Sequence, residues 1–280
     1  MQEEFLSKGI PCTITYRKVN LSLKVGSVEF LNSKPLNYGF GRDKSDQFRL
    51  ILGTPSNLAT SLKNKEIDVG LVPVMEYLQG TGKYIIRDCS IASRGSVGSV
   101  FLLRKKGTFD FEKIAVDNRS RSSVALLKIV LLEEGKSSYT FQPFNPKKTE
   151  LSKINADAVL LIGDEALIHG KGNYTLDLGE WWFHHTKLPF VYAIWVSNVN
   201  LTEDQIKFFK QSKEAGLTNL DRIITNESNI HGISRDILHE YYTSRLVFDL
   251  GNSEIKGIQT FQDLLLKHGL LKGKREIVIY

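Results

Sequence analysis

The chain has 280 residues, of which 41% are hydrophobic and 24% are charged. This composition is typical of a folded globular protein and excludes a largely disordered one. The length predicts two lobes, because single cores rarely keep growing beyond about 250–300 residues. The formal net charge of +6 favours anionic ligands. The densest basic stretches, residues 104–106 and 272–275, lack the interleaved aromatic side chains of a nucleic-acid site, so we expect no nucleic-acid partner.

Cysteine usage and hydropathy predict a cytoplasmic protein without a membrane partner. Cys12 and Cys89 are the only cysteines and form no CxxC pattern, which argues against a disulfide framework and a structural zinc site. The first residues contain no apolar run of signal length, and no stretch of about 20 apolar residues is present to span a membrane.

The first half of the chain alternates apolar strands with polar turns. After an N-terminal extension, residues 1–20, the pattern predicts strands at residues 21–30, 48–52, 68–72, 85–92 and 97–103. Asn32 or Ser33 can cap a helix that begins near Pro35. Thr54 lies in a second such turn, before an amphipathic helix at residues 57–65. A third polar turn, residues 93–96, joins two of the strands.

The second half begins as another α/β unit and ends in helices. Strands are predicted at residues 114–116, 139–144, 156–162 and 190–197, helices at 122–134 and 179–185, and a turn at 163–165. Thr202 with Gln205 has capping-box spacing, and Ser234 and Ser253 are predicted caps of two later helices.

This order predicts an α/β fold of two lobes. Lobe one comprises residues 1–104 and 197–280, and lobe two, residues 105–196, is inserted between them. The chain is expected to cross between the lobes near residues 103–107 and 197–199. In such folds, ligands bind beyond the carboxyl ends of the strands, which here face a central cleft.

Small polar residues at the predicted turns are candidates for anion binding. Ser120, Arg121, Ser122 and Ser123 lie where a helix starts, and helix N-termini bind carboxylates. Helix capping alone also explains Ser120 or Ser122. The same two interpretations apply to Asn32 and Ser33, and a simple β-turn explains Gly95 and Ser96 as well as ligand contact does. Tyr192 and Trp195 are core aromatic residues or pack against a ligand ring.

Five stretches resemble one known family, in that family's order. They are residues 28–36 (VEFLNSKPL), 89–100 (CSIASRGSVGSV), 116–127 (VDNRSRSSVALL), 162–167 (IGDEAL) and 188–195 (LPFVYAIW). Together they resemble chorismate dehydratase of the futalosine route to menaquinone, over residues 24–271. The resemblance implies a two-lobed fold like that of the type II periplasmic binding proteins, with chorismate as the small-molecule substrate.

The resemblance also implies the reaction and the residues that serve it. Chorismate loses water to give 3-(1-carboxyvinyloxy)benzoate, an elimination for which we expect no cofactor and no metal, in agreement with the absence of HExxH, GxGxxG and Walker patterns. Asn32 is the predicted catalytic residue, for orientation and anion stabilisation. The predicted substrate-binding residues are Ser33, Thr54, Ser93, Gly95, Ser96, Ser99, Ser120, Arg121, Ser122, Ser123, Gly163 and Asp164.

The sequence leaves the general base and two other functions open. None of the six histidines has a motif partner. Asp164 or Glu165 can act as the base if burial raises its pKa, or the enolpyruvyl carboxylate of the substrate can take the proton. A solute-binding protein without catalysis shares the fold. So does a sister enzyme of the same route, which acts on cyclic dehypoxanthine futalosine.

Overall fold

The computed structural model describes residues 22–43, 46–104, 112–117, 119–146, 148–169 and 176–280. The predicted N-terminal extension, with Cys12, lies outside the described residues. Within them, no helix combines the length and apolar character needed to cross a membrane.

A six-stranded mixed sheet forms the first lobe. Its strands, in spatial order, are β11 (Leu246–Val247), β4 (Tyr84–Ser93), β10 (Phe190–Ser197), β3 (Val69–Pro73), β1 (Leu23–Val28) and β2 (Phe48–Gly53). Strand β1 runs parallel to β2 and β3, whereas β10 is antiparallel to β3 and β4. Every residue of β3 is buried, as its continuous apolar run predicts for a central strand.

A five-stranded sheet forms the second lobe. Its spatial order is β7 (Thr140–Phe144), β6 (Lys113–Asp117), β8 (Ala158–Ile162), β5 (Val100–Arg104) and β9 (Leu176–Asp177). Strand β6 runs parallel to β7 and β8, and β5 is antiparallel to β8 and β9. The predicted α/β class is confirmed, and each of the two sheets is mixed.

Ten α-helices connect and cover these sheets in the described part of the chain. They are α1 (Lys34–Asn37), α2 (Pro55–Lys63), α3 (Val74–Leu78), α4 (Arg121–Glu133), α5 (Gly163–His169), α6 (Leu178–Thr186), α7 (Glu203–Thr218), α8 (Leu220–His231), α9 (Arg235–Glu240) and α10 (Asn252–Lys267). A single π-helical turn, Tyr241–Arg245, follows α9 directly.

The chain crosses between the two sheets twice. Each crossing occurs one strand earlier in the chain than the sequence predicted. The chain leaves the first sheet after β4, at residues 94–99, and returns between β9 and β10. Strand β5 therefore belongs to the second lobe and β10 to the first. The apolar runs 85–92 and 97–103, on both sides of the polar turn 93–96, have the sequence pattern of a hairpin. They do not pair with each other, because β4 pairs with β10 and β11, and β5 pairs with β8 and β9.

One buried carboxylate joins the two crossings. Asp177, at the end of β9, accepts hydrogen bonds from Ser96 Oγ (2.9 Å) and from the amides of Val97 (3.1 Å) and Gly98 (2.7 Å). It also caps α6 by accepting from the amides of Gly179 and Glu180. Five donors fully compensate the burial of this charge, so both crossings are held at one point.

Three of the helix caps predicted from the sequence are confirmed. Ser120 accepts from the amide of Ser123. Thr54, which was predicted only to lie in a turn, also caps its helix by accepting from the amide of Asn57. The capping box of Thr202 is present, and Ser234 accepts from the amide of Ile237. Ser253 is not a cap, because Glu254 accepts from the amide of Gly251, which makes Gly251 the N-cap of α10.

Two other local predictions are wrong. Ser33 does not cap α1, because its hydroxyl donates to the carbonyl oxygens of Val28 (2.7 Å) and Phe30 (2.8 Å) instead. Residues 163–165 are not a turn but the first residues of α5. Gly163 has φ +61°, which takes the chain from β8 into this helix without the strain that a side chain would add.

The aromatic core of the first lobe includes Trp195 of β10. Its ring lies 5.1 Å from that of Phe209 on α7 and 5.8 Å from that of Phe40. Phe208 stacks on Phe48 at 4.4 Å between centroids. Trp195 is thus a core residue, and α7 covers this side of the sheet as the helical C-terminal pattern predicts.

Candidate functional site

A cavity lies between the lobes, at the ends of strands from both sheets. Its walls are mainly apolar with a few converging polar groups, which is typical of a small-molecule site. We call it the inner cavity. It is lined by Val28, Phe30, Asn32, Pro55, Leu71, Pro73, Ile91, Val97, Ser99, Val100, Arg119, Ser120, Ser122, Ser123, Ile162, Gly163, Tyr192, Ala193 and Leu246.

The N-terminus of α4 supplies donors to the inner cavity. Ser123 donates its amide to Ser120 Oγ (3.2 Å), and the amide of Ser120 donates to the carbonyl of Asp117 (3.3 Å). The first four amides of an α-helix have no partner within the helix, so those of Arg121 and Ser122 remain for a ligand. Ser122 Oγ accepts from the amide of Met75 in the other lobe (3.2 Å), and its own proton remains to donate. This end of the helix is suited to a carboxylate.

A buried ion pair places a cation beside that helix end. Arg119 is 8% exposed and Asp117 is fully buried. Arg119 Nε and Nη2 both donate to the Asp117 carboxylate, with Nη2 to Oδ2 at 2.6 Å. The third nitrogen, Nη1, has no acceptor among the described residues. Because guanidinium binds carboxylates through its fork of donors, Arg119 is suited to hold a second anion while Asp117 fixes its orientation.

Asn32 faces the cavity from the other lobe, next to Ser99. Its Oδ1 atom is buried without a hydrogen-bond partner among the described residues. Ser99 is buried, and its Oγ accepts from the hydroxyl of Tyr241 (2.9 Å). Burial raises the pKa of Tyr241, against the opposing effect of its hydrogen bonds with Ser99 and Asn32, so this phenol stays neutral. Asn32 and Ser99 thus present polar groups that a ligand can satisfy.

A second, larger and more polar cavity adjoins the first, and we call it the outer cavity. Phe30, Pro55 and Arg119 line both cavities. The other residues that line the outer cavity are Glu29, Lys34, Gly53, Thr54, Ser56, Asn57, Asn145, Asp164, Glu165, Ile168 and His231. The carboxylates and the histidine near the cleft therefore lie outside the inner cavity. No three His, Cys, Asp or Glu side chains are grouped as a metal site in the described ranges.

Asp164 joins the lobes at the boundary of the outer cavity. Its Oδ1 accepts from the amide of Leu31 (3.0 Å). Burial raises the pKa of Asp164, although this hydrogen bond and the charges of His231, Lys34 and Arg119 lower it. A raised pKa makes Asp164 a candidate base, but its side chain does not line the inner cavity.

We expect Asp164→Asn to stabilise the protein at neutral pH. A carboxyl group whose pKa is raised by folding binds its proton more tightly in the folded state, so wild-type stability falls as pH rises above the ordinary value of about 3.9. The amide keeps an acceptor for Leu31 without the charge. Urea unfolding at a series of pH values should show an advantage of the variant that is largest near neutrality and disappears in acid. An advantage that grows toward acid would contradict this.

Eight of the predicted site residues lie around the two cavities. Asn32, Ser99, Ser120, Ser122, Ser123 and Gly163 line the inner cavity, and Thr54 and Asp164 line the outer one. These residues come from both lobes and from separate turns, which the topology brings together.

The other five predicted residues line neither cavity. Ser33 holds the backbone of β1, and Ser96 is bound to Asp177. Ser93 donates to the carbonyl of Gly95 (3.1 Å) and lies 3.1 Å from the hydroxyl of Tyr192.

The fifth of these residues, Arg121, is half exposed and turned away from the inner cavity. It forms an ion pair with the buried Glu76 of the other lobe at 2.6 Å. Arg121 was predicted to contact the ligand, but it contacts the opposite lobe instead.

Gly95 is explained by its backbone conformation. It has φ +104°, which favours glycine, and a Cβ there would meet no atom within 4 Å.

Ser96→Ala is expected to lower the free energy of unfolding by about 1–2 kcal/mol, since it removes one hydrogen bond to a buried carboxylate. Ligand affinity should not change, because this hydroxyl does not line the cavity. Ser99→Ala is the matched variant and should weaken ligand binding. Denaturant unfolding and calorimetric titration measure the two effects. A larger loss of affinity in Ser96→Ala than in Ser99→Ala would contradict this assignment.

Arg119 and Tyr241 were not predicted as site residues. Arg119 lies within the stretch 116–127, and the Asp-x-Arg spacing at the end of strand β6 is a signal for an ion pair at a strand end. Tyr192, for which the sequence left both a core role and a ligand-packing role open, lines the inner cavity. Tyr241 is 142 residues from its partner Ser99, in a π-helical turn with no sequence signature that we recognised.

Comparison with known proteins agrees with this architecture. The chorismate dehydratase of Thermus thermophilus is 26% identical over 266 residues, covering 86% of this chain and 94% of that protein. A structure from Archaeoglobus fulgidus superposes with a TM-score of 0.73 at 16% identity, covering 89% of this chain and 98% of that one. The alkanesulfonate-binding protein SsuA from Xanthomonas axonopodis pv. citri gives a TM-score of 0.65 at 16% identity, covering 93% and 98%. The predicted periplasmic-binding-protein-like fold is confirmed.

A family model described as menaquinone biosynthesis matches residues 23–267, almost the whole described chain. This match includes all five stretches that carry the resemblance and both walls of the inner cavity. The chain therefore belongs to the menaquinone biosynthesis family.

Proposed function

We propose that this protein is a chorismate dehydratase that acts in the cytoplasm, without a cofactor. Family membership and the similarity to a chorismate dehydratase support an enzyme of menaquinone biosynthesis. The observation that carries the finer proposal is the inner cavity itself. It combines apolar walls for a six-membered ring with separate groups of anion-binding and hydrogen-bonding residues on opposite lobes.

We assign the ring carboxylate of chorismate to the N-terminus of α4. There, Arg119 Nη1 and the amides of Arg121 and Ser122 can donate to it, and Ser122 Oγ can add a fourth donor. Asn32 and Ser99 then face the opposite side of the ring, where the ether and hydroxyl substituents lie. This orientation matches donors to oxygens and leaves the ring carbons against apolar walls.

The proposed reaction removes a proton from ring carbon 3 and hydroxide from ring carbon 4. The C3–H electron pair forms the C3–C4 double bond, the C4–O bond breaks, and hydroxide takes up a proton to leave as water. Negative charge that develops at carbon 3 is conjugated with the ring carboxylate. Donors fixed around that carboxylate therefore stabilise the transition state more than the ground state.

We assign the role of base to the enolpyruvyl carboxylate of the substrate. The described lining of the inner cavity contains no Asp, Glu or His, whereas Asp164, Glu165 and His231 line the outer cavity. A base must lie within hydrogen-bond reach of the proton that it takes, and the substrate's own carboxylate satisfies this. Retention of most activity by a chorismate analogue without that carboxylate would overturn the assignment and favour Asp164.

The decisive measurement follows chorismate by ultraviolet absorbance and mass spectrometry with purified protein and no added metal. We expect protein-dependent loss of one water and formation of 3-(1-carboxyvinyloxy)benzoate. Chorismate that binds but stays intact would identify a solute-binding protein. Turnover of cyclic dehypoxanthine futalosine in place of chorismate would identify the sister enzyme.

A further inference from the structure

Phe30 forms the boundary between the inner and outer cavities, together with Pro55 and Arg119. We infer that the Phe30 ring is a specificity-determining residue, which limits how far a ligand's side arm can extend from the inner cavity. This inference rests on the proposed function, because it concerns which aromatic dicarboxylates the same site accepts.

The ring reaches across the cleft from lobe one to lobe two. The guanidinium carbon of Arg119 lies 5.2 Å from the ring centroid, within the range of a cation–π contact. A Cβ at Gly163, the first residue of α5, would lie 3.4 Å from Cδ1 of Phe30. The ring of Phe30 therefore lies against two residues of the second lobe, Arg119 and Gly163.

The backbone at Phe30 and Leu31 is fixed by three buried or part-buried hydrogen bonds. The carbonyl of Phe30 accepts from Ser33 Oγ (2.8 Å). The amide of Leu31 donates to Asp164 (3.0 Å), and its carbonyl accepts from the hydroxyl of Tyr242 (2.8 Å). With the main chain held from both lobes, the Cα of Phe30 has a fixed position, and the ring itself lies against Arg119 and Gly163. The barrier therefore has a defined position, which is what size selection requires.

The space beyond the ring could hold a longer arm. The outer cavity is larger than the inner one and is lined by hydroxyl, amide and charged groups, including Lys34 and His231. A carboxylate on a long flexible arm would reach these groups only past Phe30. Exclusion of such ligands must then come from the ring and not from lack of space behind it.

The test measures binding of two probes by calorimetry. One is 3-(carboxymethoxy)benzoate, and the other is its homologue with a heptamethylene arm, which carries the same ring and charges. We expect the affinity of the wild type for the short probe to exceed that for the long probe by about tenfold or more. The long arm can enter the outer cavity only by displacing the Phe30 ring, and this displacement costs more binding free energy than the extra methylenes contribute. In Phe30→Ala, this preference should fall below about threefold, with Phe30→Leu between the two.

Phe141→Ala is the matched control, because Phe141 is also a half-buried ring over a cation, Lys128, but lies on β7 at the edge of the second sheet. Its preference should equal that of the wild type. An unchanged preference in folded Phe30→Ala, with tight binding of the short probe, would overturn the inference alone. Absence of short-probe binding to the wild type would overturn both the inference and the proposed ligand class.

Discussion

Arg119→Met is expected to lower the free energy of unfolding by about 3–5 kcal/mol, the cost of leaving a buried charge without its partner. Asp117 is fully buried and receives three hydrogen bonds from the Arg119 side chain. Methionine fills similar volume but donates none of them. Urea unfolding at neutral pH measures the effect. Chorismate affinity should fall as well, because the cation beside the α4 N-terminus is lost.

The double variant Asp117→Asn/Arg119→Met separates these two roles. Replacing both members of a buried ion pair with neutral residues of similar size removes the uncompensated charge, so most of the stability should return. Binding of chorismate should stay weak, because the cation is still absent. Full recovery of affinity in the double variant would show that Arg119 does not contact the ligand.

Asn32→Ala is expected to reduce kcat by about 10²–10³-fold, as removal of one fixed polar group from a transition-state site does. The loss of stability should stay below about 1.5 kcal/mol, because Oδ1 has no partner and only the hydrogen bond between Asn32 and Tyr241 is lost. A buried polar atom without a partner costs folding free energy, and Asn32 lines the inner cavity, where a ligand can supply the missing partner. Steady-state turnover and thermal unfolding of the same preparation test both statements.

Asn37→Ala is the control for this prediction. Asn37 also has a buried Oδ1 atom without a described partner, but its Nδ2 donates to Ser33 Oγ (3.1 Å) and it lines neither cavity. Its replacement should affect stability and leave turnover unchanged. Equal losses of turnover in the two variants would contradict a specific role of Asn32.

Local features were largely predictable from the sequence. The helix start at Ser120, the capping box of Thr202 and the buried strand before Pro73 follow from residue types within a few positions of one another. Part of the candidate site was also predictable from the sequence, because Asn32, Thr54 and Ser120 each lie between a strand and a helix. Local chemistry determines such turns, and strand ends of one sheet meet at the same edge.

Long-range pairing explains what was missed. The apolar sequences of β4 and β5 carry no information about the sheet that each joins, since that depends on partners such as β10 and β8. The hydroxyl of Ser99 is held by Tyr241, and the carboxylate of Asp177 binds residues about 80 positions earlier. A serine that binds a ligand and one that binds a distant carboxylate look alike in a sequence. Ser96 and Ser99 are such a pair, three residues apart.

The placement of the two crossings makes the second lobe a natural insertion. Ser93, where β4 ends, pairs directly with Phe190, where β10 begins, and these strands are antiparallel neighbours. A tight turn between them would close a β-hairpin and keep the order of the first sheet. On the other side of the junction, Phe101 of β5 pairs with Asp177 of β9, so the excised lobe would also begin and end on adjacent strands. The gene could thus be divided at this junction without cutting through any strand.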